Sequence, residues 1–167
     1  MAAKPGDEGA PSTPAHRRGI DFDRSVTYLV TALANKMSIS ASRRLRPLKI
    51  GLMEWRVIAL LGVEHEASPA RVAQVAGVDK SVVSRAVTAL AKAGLIAVNA
   101  KGGPGRQTMA ILTPAGWALH DQGIVEAMAA EEGLLHGFSP AEQDAAVTLL
   151  KRLTANLGYA ENSRGEG

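Results

Sequence analysis

The sequence has no cysteine among its 167 residues, which excludes disulfides, thiolate nucleophiles, cysteine-ligated zinc and thiol-based redox sensing together. Aromatic residues make up only 4% of the chain while 46% is apolar. A core must therefore be built from Leu, Val, Ile and Ala, a composition that favours helices. No run of about 18 apolar residues occurs, and the opening stretch MAAKPGDEGAPSTPAHRRG contains no apolar segment of signal-peptide length. The expectation is a soluble, cytoplasmic chain with one folded domain and no membrane contact.

Charge of one sign is missing locally. The net charge is only +3, yet residues 68–113 carry six bases (Arg71, Lys80, Arg85, Lys92, Lys101, Arg106) against a single acid, Asp79. Residues 114–160 reverse the balance, with two bases against six acids. A basic middle followed by an acidic segment is the distribution of a polyanion-binding face on a neutral or acidic scaffold.

Residues 1–20 are rich in Pro, Gly and Ala without periodicity and read as a disordered arm, and residues 161–167 as a frayed tail. His16, Arg17 and Arg18 give the arm some basic character, although a solvated tail is the plainer reading. From Asp23 to about Leu45, Val26, Leu29, Val30, Leu33 and Met37 fall at the spacing of an amphipathic helix, which Pro47 ends. A second helix begins near Gly51. Three later helices start with a hydroxyl before a proline, at Ser68-Pro69, Thr113-Pro114 and Ser139-Pro140, which meets the preferences of an N-cap and a first helical position. The last of these adds Glu142 at the capping-box position.

The stretch SPARVAQVAGVDKSVVSRAVTALAKAGL reads as helix, short turn, helix, with Gly77 closing the first and Asp79 capping the second. The second helix, Asp79 to about Ala93, has an apolar stripe of Val83, Ala86, Val87 and Leu90. Opposite it lies a stripe of Ser81, Ser84, Arg85, Thr88 and Lys92 with no carboxylate. Solvated helix faces usually mix charge signs; a helix that enters a polyanionic groove needs this bias.

The segments LIAVNA and QTMAILT bracket the loop KGGPGRQT and read as a two-stranded hairpin. A nucleotide-phosphate loop would need a following helix and Gly-Lys-Ser/Thr. Here a strand follows and that triplet is absent, so the loop reads as the tip of a wing beside a helix-turn-helix.

At this point the sequence resembles the MarR (multiple antibiotic resistance regulator) family of winged-helix transcription factors. The segments EWRVIALL, VDKSVVSRAVTALAKAGLI and LTPAG are similar to that family's second helix, recognition helix and exit from the wing. The family's spacing from the glycine that ends the recognition helix to the wing arginine and the Leu-Thr pair is reproduced by Gly94, Arg106, Leu112 and Thr113. Three positions depart from the pattern: Pro104 replaces an acid beside the wing arginine, Val98 an arginine in the first wing strand, and Gly51 a Thr or Ser cap.

The resemblance implies a mainly α fold with a small β-hairpin wing. Within one domain of residues 21–160 it places a winged helix-turn-helix at about 50–113 and dimerisation helices at about 23–46 and 114–158. It also implies a homodimer whose first, fifth and sixth helices interlock, and the ridge Ala146, Leu149, Leu150, Leu153 and Leu157 on the last helix suits such a contact. The expected function is a repressor on a pseudo-palindromic double-stranded DNA operator, released by a small anionic or aromatic effector such as an aromatic acid or an acyl-CoA thioester. On DNA, Ser81, Val82, Ser84 and Arg85 would lie nearest the base edges, with Thr88 on the same stripe. Lys80 and Lys92 would meet phosphates, and Lys101 and Arg106 would reach from the wing.

For the effector, the candidates are Ser38, Ser42, Arg43 and Arg46 in the run NKMSISASRRLR, together with Trp55. A solvated helix face and an ordinary core residue are the plainer alternatives for the serines and the tryptophan, and Arg43, Arg44 and Arg46 could equally face DNA instead of an acidic ligand. No catalytic constellation, cofactor or metal is expected. The four histidines show no tight ligand spacing, and a metal-responsive alternative would have to draw on Glu64, His65, Glu66, His120 and Asp121. A winged-helix protein-interaction module without DNA binding is the remaining alternative; it would predict a mixed-sign recognition face.

Overall fold

The computed structural model describes residues 20–101 and 107–164. The chain divides into two compact units whose boundary falls between Met37 and Ser38, inside the first helix, α1 (Val26–Leu45). In the first unit, the Asp21 side chain and carbonyl accept the N–H groups of Asp23 and Arg24 at 3.1 and 3.2 Å, and Ser25 Oγ accepts that of Tyr28 at 3.3 Å. This local capping delays the helix to Val26, three residues after the start expected from periodicity. Val26, Leu29, Val30, Leu33 and Met37 are all exposed within the single chain.

In the second unit α1 ends at Leu45, which is buried, and the chain makes one 3-10 turn over Arg46–Leu48 with Pro47 inside it. Lys49, in the left-handed region at φ 56°, reverses the chain toward α2 (Leu52–Glu64). Gly51 supplies no capping side chain there. Instead its own N–H donates to Glu54 Oε2 at 2.6 Å, the returning half of a capping box.

α2 is the centre of the core. Its Trp55, Val57, Ile58 and Leu61 are buried, and α3 (Pro69–Ala76), α4 (Lys80–Lys92) and α5 (Pro114–Leu134) all pack on it. At the α2–α5 crossing a Cβ added to Gly123 would lie 2.2 Å from the Trp55 ring; only glycine permits so close an approach.

The hairpin of β2 (Ile96–Lys101) and β3 (Gln107–Leu112) is antiparallel, in register from Ile96 opposite Leu112 to Lys101 opposite Gln107. A third strand, β1 (Glu66–Ala67), pairs along the other edge of β3 and gives the sheet order β1-β3-β2. Two residues carry no periodicity, so the sequence offered no sign of β1; it forms because His65 at φ 63° turns the chain beside β3. The last helix, α6 (Pro140–Arg164), makes no extensive packing against the rest of its own chain. Among the described residues no helix is long and apolar enough to cross a membrane.

Candidate nucleic-acid interface

The helix-turn-helix is held by its caps. Ser68, itself buried, accepts the N–H of Arg71 at 3.1 Å and starts α3. Gly77 at φ 64° ends it, with its N–H on the Ala73 carbonyl; this left-handed position carries a glycine for the usual steric reason. Asp79 then caps α4 by accepting the Ser81 N–H at 2.7 Å. The Ser81 hydroxyl and backbone N–H hold the Asp79 carboxyl below its ordinary range, and the charge of Arg85 acts in the same direction.

Val83, Ala86, Val87 and Leu90 bury one face of α4, which fixes the orientation of the other. Lys80, Ser81, Ser84, Arg85, Thr88 and Lys92 are all exposed, and Val82 is half-buried at the edge of that face. Ser84 Oγ donates to the Lys80 carbonyl and Thr88 Oγ1 to the Ser84 carbonyl, each at 2.9 Å. Their hydrogens are thus used within the helix, and outward they present acceptors, suited to an exocyclic amino group on a base. None of Lys80, Arg85 and Lys92 is in an ion pair among the described residues.

Arg71 behaves differently from the other bases of this region. Its guanidinium makes a bidentate contact with Glu64, with Nη2 at 2.7 Å and Nε at 3.0 Å from Oε1, and donates to Gln74 Oε1 at 3.2 Å. This pairing ties α3 to the end of α2 and holds the Glu64 carboxyl below its usual value. Arg71 is thus engaged by an acid, whereas Lys80, Arg85 and Lys92 on α4 stand exposed.

The wing joins the recognition helix through Thr113. Its Oγ1 donates to the Gly94 carbonyl at 2.7 Å and accepts the Gly116 N–H at 3.1 Å, while its own N–H donates to the Leu95 carbonyl at 3.1 Å. The N-cap read from Thr113-Pro114 is thus also the clasp between the end of α4 and the start of α5. Lys101 ends β2; the expected wing contact Arg106 lies outside the described residues.

Ser38, Ser42, Arg43 and Arg46 line one open depression of about 380 Å³ together with Ile39. Ser42 Oγ donates to the Ser38 carbonyl at 2.8 Å. Trp55 does not line it; it is buried, with its ring against Gly123 and 6.2 Å from that of His120. Glu64 is engaged by Arg71, and His120 Nδ1 lies 3.1 Å from Asp121 Oδ1. Among the described residues no group of three His, Asp or Glu side chains is placed to hold a metal ion. On α6, Leu149, Leu150, Leu153 and Leu157 are between 41% and 68% exposed, an apolar face left without a partner in the single chain.

Comparison with known proteins gives one answer. A family model described as MarR family matches residues 48–107. The chain is 32% identical to a MarR/EmrR family transcriptional regulator from Acinetobacter sp. ADP1, over 84% of this chain and 99% of that one, with a TM-score of 0.78. A MarR family regulator from Listeria monocytogenes, solved with a 26-mer DNA, has the same fold at 18% identity (80% and 89% of the two chains, TM-score 0.75). So does CouR from Rhodococcus jostii RHA1 bound to p-coumaroyl-CoA, at 17% identity (81% and 95%, TM-score 0.72). Among curated proteins none matches the sequence.

Proposed function

Because this chain belongs to the MarR family of transcriptional regulators, we propose that it is a homodimeric repressor that binds a pseudo-palindromic operator and leaves it when a small anionic or aromatic effector binds. The observation that carries the reading is the outward face of α4: exposed Lys80, Ser81, Ser84, Arg85, Thr88 and Lys92 with no carboxylate among them. Such a face gains from a polyanionic groove and little from any mixed-charge protein surface.

In this reading the N-terminal half of α4 enters the major groove. Arg85 makes a bidentate contact to a guanine, Ser81 and Ser84 accept from base amino groups, and Val82 touches a thymine methyl. Lys80 and Lys92 neutralise phosphates, and Lys101 and Arg106 extend the contact from the wing. The exposed leucine face of α6 supports the dimer, whose two-fold axis would set the operator half-sites about 10 base pairs apart. For the effector, the supporting feature is the depression at Ser38, Ser42, Arg43 and Arg46, and an aromatic acid or its CoA thioester fits its charge.

The DNA assignment is tested by two substitutions that must fail differently. Arg85→Ala should weaken operator binding by roughly 1–3 kcal/mol and relax the preference at one position per half-site. Lys80→Ala should weaken all sequences alike and flatten the dependence of log K on log salt by about 0.9 for each phosphate that is no longer neutralised. Fluorescence anisotropy on an operator and on base-substituted versions of it, at several salt concentrations, separates them. Uniform weakening by Arg85→Ala would remove Arg85 from base recognition.

A further inference from the structure

The outward face of α4 has no carboxylate, yet the residue that leads into it is one. Asp79, the only acid in residues 68–113, is exposed at the N-terminal end of the recognition helix, next to Lys80 and Ser81. As a cap it needs no charge. Asn and Ser cap a helix about as well as Asp does, and α3 and α5 of this chain start on the hydroxyls of Ser68 and Thr113. A negative charge on the element that approaches DNA costs non-specific affinity, which the phosphates supply.

That charge is fixed in place beside a cation. Asp79 Oδ1 accepts the Ser81 N–H at 2.7 Å, which holds the carboxylate against the first turn of α4. The Ser81 hydroxyl and N–H keep its carboxyl below the ordinary range, so it is ionised at neutral pH, and the charge of Arg85 acts in the same direction. Arg85 stands one turn after Ser81, and helical side chains lean toward the N-terminus. Both Asp79 and Arg85 are exposed, and no ion pair joins them among the described residues.

We propose that Asp79 is a specificity-determining residue, whose carboxylate accepts the amino group of a cytosine paired with or next to the guanine read by Arg85, and repels phosphates in other registers. The inference rests on the reading of α4 as the recognition helix. In the major groove guanine offers two acceptors and cytosine an amino donor, so an arginine and a carboxylate side by side match both edges. On unrelated DNA the helix meets mainly phosphates, and there the carboxylate meets like charge. One residue thereby lowers the background and raises the operator above it.

The test compares the full-length wild type with Asp79→Asn and Asp79→Ser, both of which keep a capping side chain. Affinity is measured on an operator duplex recovered from a random library, on its base-substituted versions, and on a duplex of unrelated sequence. Both variants should bind the unrelated duplex more tightly than the wild type does. The ratio of operator to unrelated affinity should fall about fivefold or more, the scale of one base-specific contact, and preference for cytosine should be lost at one position per half-site. If Asp79 acts only as a cap, both variants restore it and the ratio stays unchanged; that result overturns the inference and leaves the recognition helix in place. Equal tightening on operator and unrelated duplexes, with the cytosine preference retained, also overturns it, as a general effect of charge. If the wild type itself prefers no sequence, the DNA reading and this inference fall together.

Discussion

If the proposed dimer forms through α6, Leu153→Glu is expected to leave a 17.4 kDa monomer and to lower operator affinity by about a hundredfold or more. Leu153 lies at the middle of the α6 ridge formed with Leu149, Leu150 and Leu157, all exposed in the single chain. Burying each leucine contributes about 1.5–3 kcal/mol, and a two-fold interface uses every one of them twice. A carboxylate at that place must instead be desolvated without a partner.

The fall in DNA affinity follows from geometry rather than from any contact of Leu153 with DNA. A dimer delivers its second recognition helix at a high effective concentration, and a monomer reads one half-site alone. Because α6 has no extensive packing within its own chain, the winged helix should keep its helical circular dichroism. Sedimentation and anisotropy read both effects. A variant that stays dimeric and keeps full operator affinity would place the dimer contact elsewhere.

The second large effect is expected in the core. Gly123→Val should lower the melting temperature by about 10 °C, from an overpacking cost of about 3 kcal/mol in a chain of this length. The added Cβ would lie 2.2 Å from Trp55 Cζ3 and under 3 Å from two further atoms of the same benzo ring. Trp55 is buried on α2 beneath α5, so neither helix can yield without opening the core. Trp55→Phe removes those ring atoms and should restore part of the stability in the double variant, a non-additivity that identifies the clash as the cause. Melting curves of the two single variants and the double variant decide it; a Gly123→Val protein that melts like the wild type would refute the close crossing.

These two features were unequally visible in the sequence. The α6 ridge and the recognition helix could be read directly, because helical periodicity and the caps Ser68, Gly77, Asp79 and Thr113 act over a few residues, and local chemistry is what a sequence displays. The packing of Trp55 on Gly123 joins positions 68 residues apart on two helices, and nothing local marks it. For the same reason the pairing of Arg44 with Glu126 was invisible, and the three arginines near the end of α1 looked equivalent until the structure separated Arg44 from its neighbours. Arg71 illustrates the converse. Counted as one base of a basic region, it is neutralised by Glu64, an acid just outside that region.

β1 escaped notice because a two-residue strand is defined by its partner β3 and not by its own composition. The late start of α1 came from Asp21 and Ser25, which cap a turn and a helix in succession where periodicity alone saw one helix. Hydrophobic pattern located the elements; side-chain hydrogen bonds placed their ends.

The central claim is that two copies of this chain read DNA as a symmetric pair. It is tested most directly by selecting bound duplexes from a random library with the purified protein and sequencing what is retained. The prediction is an enriched pseudo-palindrome whose half-sites are centred about 10 base pairs apart; retention of no common sequence, or of a single unrepeated half-site, would contradict it.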